Sequence, residues 1–217
     1  MIGRPRVAAC AIALASLSLA SHASARDDDG AYGRLDGDVT LVAGLGGGLI
    51  AGPSRGFASA EVRARYFDAA GVALAYEESD ALSRATTSGA SRRALIGAIE
   101  LRPLFPVRFL RHMEVGRSVG NLVLDSIGLD LGAVSSMREG NGVRRLGLLF
   151  GLGCELPLSG EANGVWLRVS TSVRWSAERL EGDSSDDSGR TVVFGIGLAW
   201  HEVIGAHVVD AGDRRVE

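Results

Sequence analysis

From Asp38 to His201 the chain keeps returning to an alternation of apolar with small or polar residues at a period of two. That period is the signature of β-strands, whose successive side chains point to opposite faces. After residue 25 no stretch approaches the roughly 18 to 20 continuous apolar residues of a membrane-crossing helix. The nearest, Leu41 to Gly52, has 12 residues and five glycines. A chain of this kind can enter a membrane only as a closed barrel, because lipid offers no partner for an open sheet edge.

In Asp38 to Ile50 the odd positions Val39, Leu41, Ala43, Leu45 and Leu49 oppose Asp38, Thr40, Gly44, Gly46 and Gly48. In Phe57 to Asp68, Ala58, Ala60, Val62, Ala64 and Tyr66 oppose Ser59, Glu61, Arg63 and Arg65. After a turn read at Asp68-Ala69-Ala70-Gly71, Val72, Leu74 and Tyr76 oppose Ala73, Ala75 and Glu77. Further strands are read at Arg93 to Arg102, with Ile96 an exception on the polar face, at Leu146 to Leu156, at Val165 to Ser176 and at Val192 to His201. A weaker segment, Leu122 to Ala133, carries Asp125 on one face and Asp130 on the other, so its first half also suits a helix. Helix propensity alone would suit Ala58 to Ser83, but the alternation runs unbroken on both sides of Gly71, and the strand reading is kept. Eight strands are therefore predicted, in an all-β, eight-stranded antiparallel up-and-down transmembrane β-barrel.

Alternation alone does not distinguish a soluble barrel, apolar inside, from a membrane barrel with the reverse arrangement. The composition of the polar face does. It consists of Gly, Ser and Ala punctuated by Glu61, Arg63, Arg65, Glu77, Glu100, Arg102, Glu155, Arg168 and Arg174. Small residues and nearly balanced charges suit a confined lumen in which every ion finds a partner. The other face is aliphatic, with Tyr66 and Trp200 toward one rim and Tyr76 and Trp175 toward the other, as in the aromatic girdles of membrane interfaces. A soluble periplasmic lipocalin-like ligand-binding barrel, with these aromatics in its core, is the alternative.

Residues 1–25 read as a cleaved signal peptide, with Arg4 and Arg6, an apolar run from Val7 to Ala20, and Ala23-Ser24-Ala25 at the cleavage site. Cys10 precedes most of the apolar run, which argues against lipidation. An N-terminal segment (26–36), the barrel (37–204) and a C-terminal tail (205–217) follow. Cleavage would leave 21 arginines against 26 acids and the single cysteine Cys154, so no internal disulfide. There is no lysine and no polybasic run, which excludes a nucleic-acid partner.

With an even strand count both barrel ends lie on one side. In bacterial outer-membrane barrels that side is the periplasm, which would make Ala51 to Gly56, Asp80 to Ser91, Met137 to Arg144 and Glu181 to Arg190 the outer connections, and all are polar. The inner ones are Asp68 to Gly71, Pro103 to Gly120 and Ser159 to Gly164. The middle one is long. Pro103 and Pro106 break a strand there, and Phe109, Leu110 and Met113 beside Arg108, Arg111 and Arg117 suit a short helix at the inner membrane surface, or a plain loop.

This patterning resembles the small eight-stranded outer-membrane barrels of Gram-negative bacteria, and is similar to the membrane domain of outer-membrane protein A. The arginine-only, glycine- and alanine-rich usage resembles barrel proteins of myxobacteria. The resemblance implies outer-membrane lipid and the barrel assembly machinery as partners, the latter through a terminal-strand signal like Phe194-x-Ile196-x-Leu198-x-Trp200, although 17 residues follow Trp200.

No chemistry stands out. His112 sits in the long connection, and His201 and His207 at the end of the last strand or beyond it; none has a serine in a recognisable catalytic spacing and they read as interfacial or tail histidines, so a lipid-modifying enzyme is the lesser alternative and no catalytic residue is assigned. One cysteine and scattered histidines make no metal cluster. Asp183 to Asp187 lacks the regular spacing of a calcium loop, and Gly44-Leu45-Gly46-Gly47-Gly48 lacks the Gly-Lys-Ser/Thr of a phosphate cradle. No metal and no cofactor are expected. The reading is a non-enzymatic outer-membrane barrel with a filled, ion-paired lumen and a structural or surface-interaction role; oligomeric state is left open.

Overall fold

The computed structural model describes residues 37–51, 55–79, 91–111, 119–138, 144–159, 161–176 and 190–205. The signal and N-terminal segments, the tail beyond 205, most of the outer connections, the acidic stretch Asp183 to Asp187, His112, Met113, Arg117 and His207 lie outside the described residues.

Eight antiparallel strands follow one another around a closed barrel in chain order. They are β1 (Val39–Ile50), β2 (Arg55–Tyr66), β3 (Ala70–Glu78), β4 (Ser91–Leu101), β5 (Gly128–Arg138), β6 (Arg144–Pro157), β7 (Gly164–Ser176) and β8 (Arg190–Ile204). Between β4 and β5 lie two short helices, α1 (Leu104–Leu110) and α2 (Val119–Asp125). Closure is made by β1 and β8, which pair from Val39↔Ile204 to Ile50↔Val193. Closure gives each of the eight strands a paired neighbour on both sides, so the sheet has no free edge strand.

That seam is built on close backbone approach. A Cβ placed on Gly48 would lie 1.9 Å from the carbonyl oxygen of Phe194 and 2.8 Å from the Phe57 ring. Gly97, on the outer face of β4, has nothing within 4 Å of such a Cβ. Gly48→Ala is therefore expected to cost about 1–3 kcal/mol through forced backbone displacement, and Gly97→Ala less than about 0.5 kcal/mol. Urea unfolding of the barrel in lipid vesicles measures both.

The alternation places the aliphatic set outside. Leu45, Val62, Leu74, Ile99, Leu131, Leu148, Val169 and Ile196, one from each strand, are all exposed. Arg63, Arg65, Glu77, Glu100, Glu155 and Arg168 are buried. This is the reverse of a lipocalin-like arrangement, in which the apolar face lines the cavity. Ile96, the exception in the alternation of β4, is buried in the lumen with Ala94, Val134 and Leu149, a small apolar cluster toward the outer end.

One local expectation is corrected, and two readings left open are decided. The β2–β3 turn is Phe67-Asp68-Ala69, with Ala70 and Gly71 already in β3. Phe67 and Asp68 both have positive φ (46° and 51°), and the Ala69 N–H donates to the Tyr66 carbonyl at 3.0 Å. This is the primed geometry that matches strand twist, adopted without the usual glycine or asparagine. The weak segment 122–133 is split: its first part completes α2, and β5 begins only at Gly128. The long inner connection is helical over Leu104–Leu110, where Pro106 is tolerated because first-turn N–H groups have no intrahelical partner.

Candidate functional site: the ion-paired lumen

The charged residues converge because inward positions recur every second residue and because small residues stand beside the long ones. Arg63 pairs across strands with Val42 and Ala73, Arg65 with Gly71, and Arg168 with Gly197. A Cβ on Gly71 would meet the Arg65 side chain at 2.9 Å, and one on Gly153 would meet the Arg168 guanidinium at 2.9 Å. Glycine and alanine on the lumen face are thus the room into which the guanidinium groups reach.

Glu155 is the hub and is fully buried. Its Oε1 accepts from Arg65 Nη2 at 2.8 Å and from Arg168 Nη1 at 2.5 Å, and its Oε2 accepts from Arg102 Nη2. Glu100 accepts from Arg65 Nε at 2.8 Å and from Arg102 Nε at 3.2 Å. Arg102 Nη1 also donates to both carboxylate oxygens of Asp68, at 3.0 and 3.1 Å. Glu100 and Asp130 are direct cross-strand neighbours, a like-charge pairing that is unfavourable alone. Arg63 bridges them, its Nη1 lying 3.0 Å from Asp130 Oδ1 and 3.2 Å from Glu100 Oε2. Arg63 Nη2 reaches Glu61 at 2.9 Å, and Arg168 Nη2 reaches Asp130 at 3.1 Å. Nearer the outer rim, Arg174 and Glu77 form a separate two-pronged pair, both contacts 2.7 Å.

The lumen-facing set named from the sequence is therefore divided. Glu61, Arg63, Arg65, Glu100, Arg102, Glu155 and Arg168 share one network, and Glu77 with Arg174 stands apart. Asp68, Asp130 and His201 join the network without having been assigned to it. Asp130 was visible as an acid interrupting an apolar segment, and Asp68 was read as a turn residue. His201, read as an interfacial or tail residue, is corrected: it is buried, its ring stacked on Trp166 with centroids 4.6 Å apart and its Nε2 3.5 Å from Glu155. Trp166, which no pattern had singled out, donates its indole N–H to the Ala162 carbonyl at 3.1 Å, so the β6–β7 turn folds beneath the lumen.

Between the network and the outer rim is a cavity of about 100 Å³. Its floor is Glu61, Arg63, Asp130 and Arg168, its walls include Ser59, Ser170 and Ser172, and Phe57, Leu149 and Val193 line it with the Glu77–Arg174 pair. At about 30 Å³ per liquid water this is room for a few water molecules. Toward the inner rim the packing is closed, with Arg65, Glu100, Arg102, Glu155, Trp166 and His201 all at 2% exposure or less.

Of the four aromatic residues named from the sequence, Tyr66 and Trp200 lie toward one end of the barrel and Tyr76 and Trp175 toward the other. Tyr66 adjoins the β2–β3 turn, its ring edge-on to Phe67 at 4.6 Å. Trp200 donates its N–H to Glu202 at 3.1 Å on the same side. Tyr76 is paired with Leu95, and Trp175 with Arg190 at the opposite end. Cys154, half-buried on the outer face, has its Sγ 3.9 Å from Ser126 Oγ. Among the described residues no group of three or more His, Cys, Asp or Glu is placed to hold a metal ion.

The chain matches no protein family and no curated protein. Among solved structures it is similar to the N-terminal β-barrel domain of Pseudomonas aeruginosa OprF, with 9% identity and a TM-score of 0.46 over 76% of this chain and 98% of that one. The comparisons lend no support to the myxobacterial resemblance.

Proposed function

We propose that this chain is a non-enzymatic outer-membrane barrel protein, a rigid body that holds four polar connections at the cell surface. One observation carries the reading: aliphatic side chains stand exposed on all eight strands around the barrel while the ions are inside. Soluble monomers rarely expose contiguous apolar patches beyond a few hundred Å², whereas lipid is the natural contact for a band that encircles the wall. Tyr66, Tyr76, Trp175 and Trp200 serve as the interfacial girdle, with residues 37–204 as the membrane domain and 1–25 as the export signal removed on the way. Outer-membrane lipid and the assembly machinery that inserts barrels are the partners.

A lumen closed at its inner end by an ion-paired network supports a body and not a conduit. The side chains fill the bore, as they do in small eight-stranded barrels. No side chain of the network is arranged as a nucleophile with its base.

The test is heat-modifiable migration of the membrane fraction. The detergent-extracted protein is expected to be β-rich by circular dichroism and to change its mobility on a gel between unheated and boiled samples. Recovery in the buffer-soluble fraction without detergent would overturn the reading.

A further inference from the structure

We infer that the α1–α2 helix pair is an inner-leaflet anchor, a lipid-contacting extension of the barrel wall that rests in the glycerol and upper acyl region of the phospholipids. The inference depends on the membrane reading above and adds a surface to it.

The end of α2 first repairs the wall. β5 begins at Gly128 opposite Gly153, whereas β6 continues to Pro157. Glu155, beyond that last β5 partner, would have no strand neighbour on this side. Ser126, immediately after α2, takes the place: its Oγ accepts the Glu155 N–H at 2.9 Å and donates to the Glu155 carbonyl at 2.8 Å. The same backbone carries the carboxylate at the centre of the lumen network.

The two helices are also sorted by face. Phe105, Leu122 and Asp125 are buried against the protein. Arg108, between the helices, donates to Asp125 Oδ1 at 2.6 Å and to Asn121 Oδ1 at 2.5 Å, so these polar groups of the two helices meet one another. Leu104, Val107 and Leu110, three apart on α1, and Val119 and Leu124 on α2 are exposed, Leu110 at 77%. Such spacing puts the α1 leucines and valine on one side of the helix.

This outward side is continuous with the aliphatic band. Leu101 at the end of β4 leads into α1; α2 packs against β6, which ends in exposed Leu156 and is followed by exposed Leu158. Arg111, exposed where α1 ends, is placed to meet lipid phosphate. An apolar side with a basic terminus, lying beside a lipid band and on the side of the barrel that carries both ends of the strand array, is the pattern of an interfacial helix. The continuity selects lipid over a protein partner.

The full chain, with Cys10→Ser and Cys154→Ser, would be refolded into phosphatidylethanolamine/phosphatidylglycerol vesicles carrying a bimane label at Leu110→Cys or, as a deep reference, at Leu198→Cys. Val107→Cys replaces Leu110→Cys if the latter loses its heat-shifted form. The expected result is that the Leu110 label is quenched several-fold more by phospholipid bearing a nitroxide near the glycerol than by aqueous iodide, while the Leu198 label responds best to a nitroxide near the acyl terminus. Iodide quenching at Leu110 with lipid quenching retained at Leu198 would overturn the anchor and leave the barrel in the membrane. A Leu110 label silent to both quenchers would overturn it in favour of a protein cover. Iodide quenching at Leu198 would sink the membrane reading itself, and the anchor with it.

Discussion

Glu155→Leu is expected to destabilise the barrel by about 3–5 kcal/mol, the cost of removing one partner from a buried ion-paired group. Two opposing effects are in play. Around Glu155, four guanidiniums (Arg63, Arg65, Arg102 and Arg168) meet five carboxylates (Glu61, Asp68, Glu100, Asp130 and Glu155), so deleting one acid would balance the formal count. It would also strip a hydrogen-bond acceptor from Arg65, Arg102 and Arg168 at a site that solvent does not reach. Local satisfaction wins, because a buried donor left without a partner costs roughly 1–3 kcal/mol each and water cannot replace what is lost. Glu61→Gln makes the same change in net charge where the side chain is 18% exposed. It is expected to cost only about 1 kcal/mol. Equal midpoints for the two variants in urea unfolding from vesicles would show that net charge, and not the local contacts, governs the lumen.

Leu198→Arg is expected to cost about 2–4 kcal/mol in lipid, the depth-dependent penalty for arginine near the bilayer centre. Leu198 stands at mid-strand between Leu45 and Leu167 and is half exposed on the outer face. Leu148→Arg, opposite Trp175 of the proposed girdle, is expected to cost about 0–1 kcal/mol, because there the side chain can reach the interface. Reversible unfolding of both variants from vesicles gives the comparison. A barrel whose outer face met water would tolerate both changes equally, so the gradient with depth is the informative quantity. Equal and negligible costs would remove the lipid from the proposal.

Much of the fold was legible because alternation is a local property of the chain. Arg63 and Arg65 among alanines, or Glu155 among leucines and glycines, announce strands with two different faces whatever lies next to them. The polarity of those faces was legible from composition, since small residues and matched ions suit an enclosed lumen better than open water. Where alternation lapses, legibility ends. Asp125 and Asp130 are five residues apart in one weak segment, yet Asp125 completes a helix held by Arg108 and Asp130 faces the lumen between Arg63 and Arg168. The β2–β3 turn was read one residue late because Phe67, unlike Asp68, is not a residue that favours positive φ.

His201 shows the same limit from another direction. Its place at the end of an alternating run suggested an interface, but burial depends on what lies across the barrel, and there Trp166 and Glu155 enclose it. The amino-acid sequence by itself determined that this chain forms strands, which side chains share a face, and that one face must be confined. Only the tertiary structure decided which arginine meets which carboxylate, because partners such as Arg65 and Glu155 are 90 residues apart and come together through the closure of β1 on β8 and the register of every strand between. The repair of the wall by Ser126 follows from the same cause: the gap below Gly128 exists only once β5 and β6 are paired.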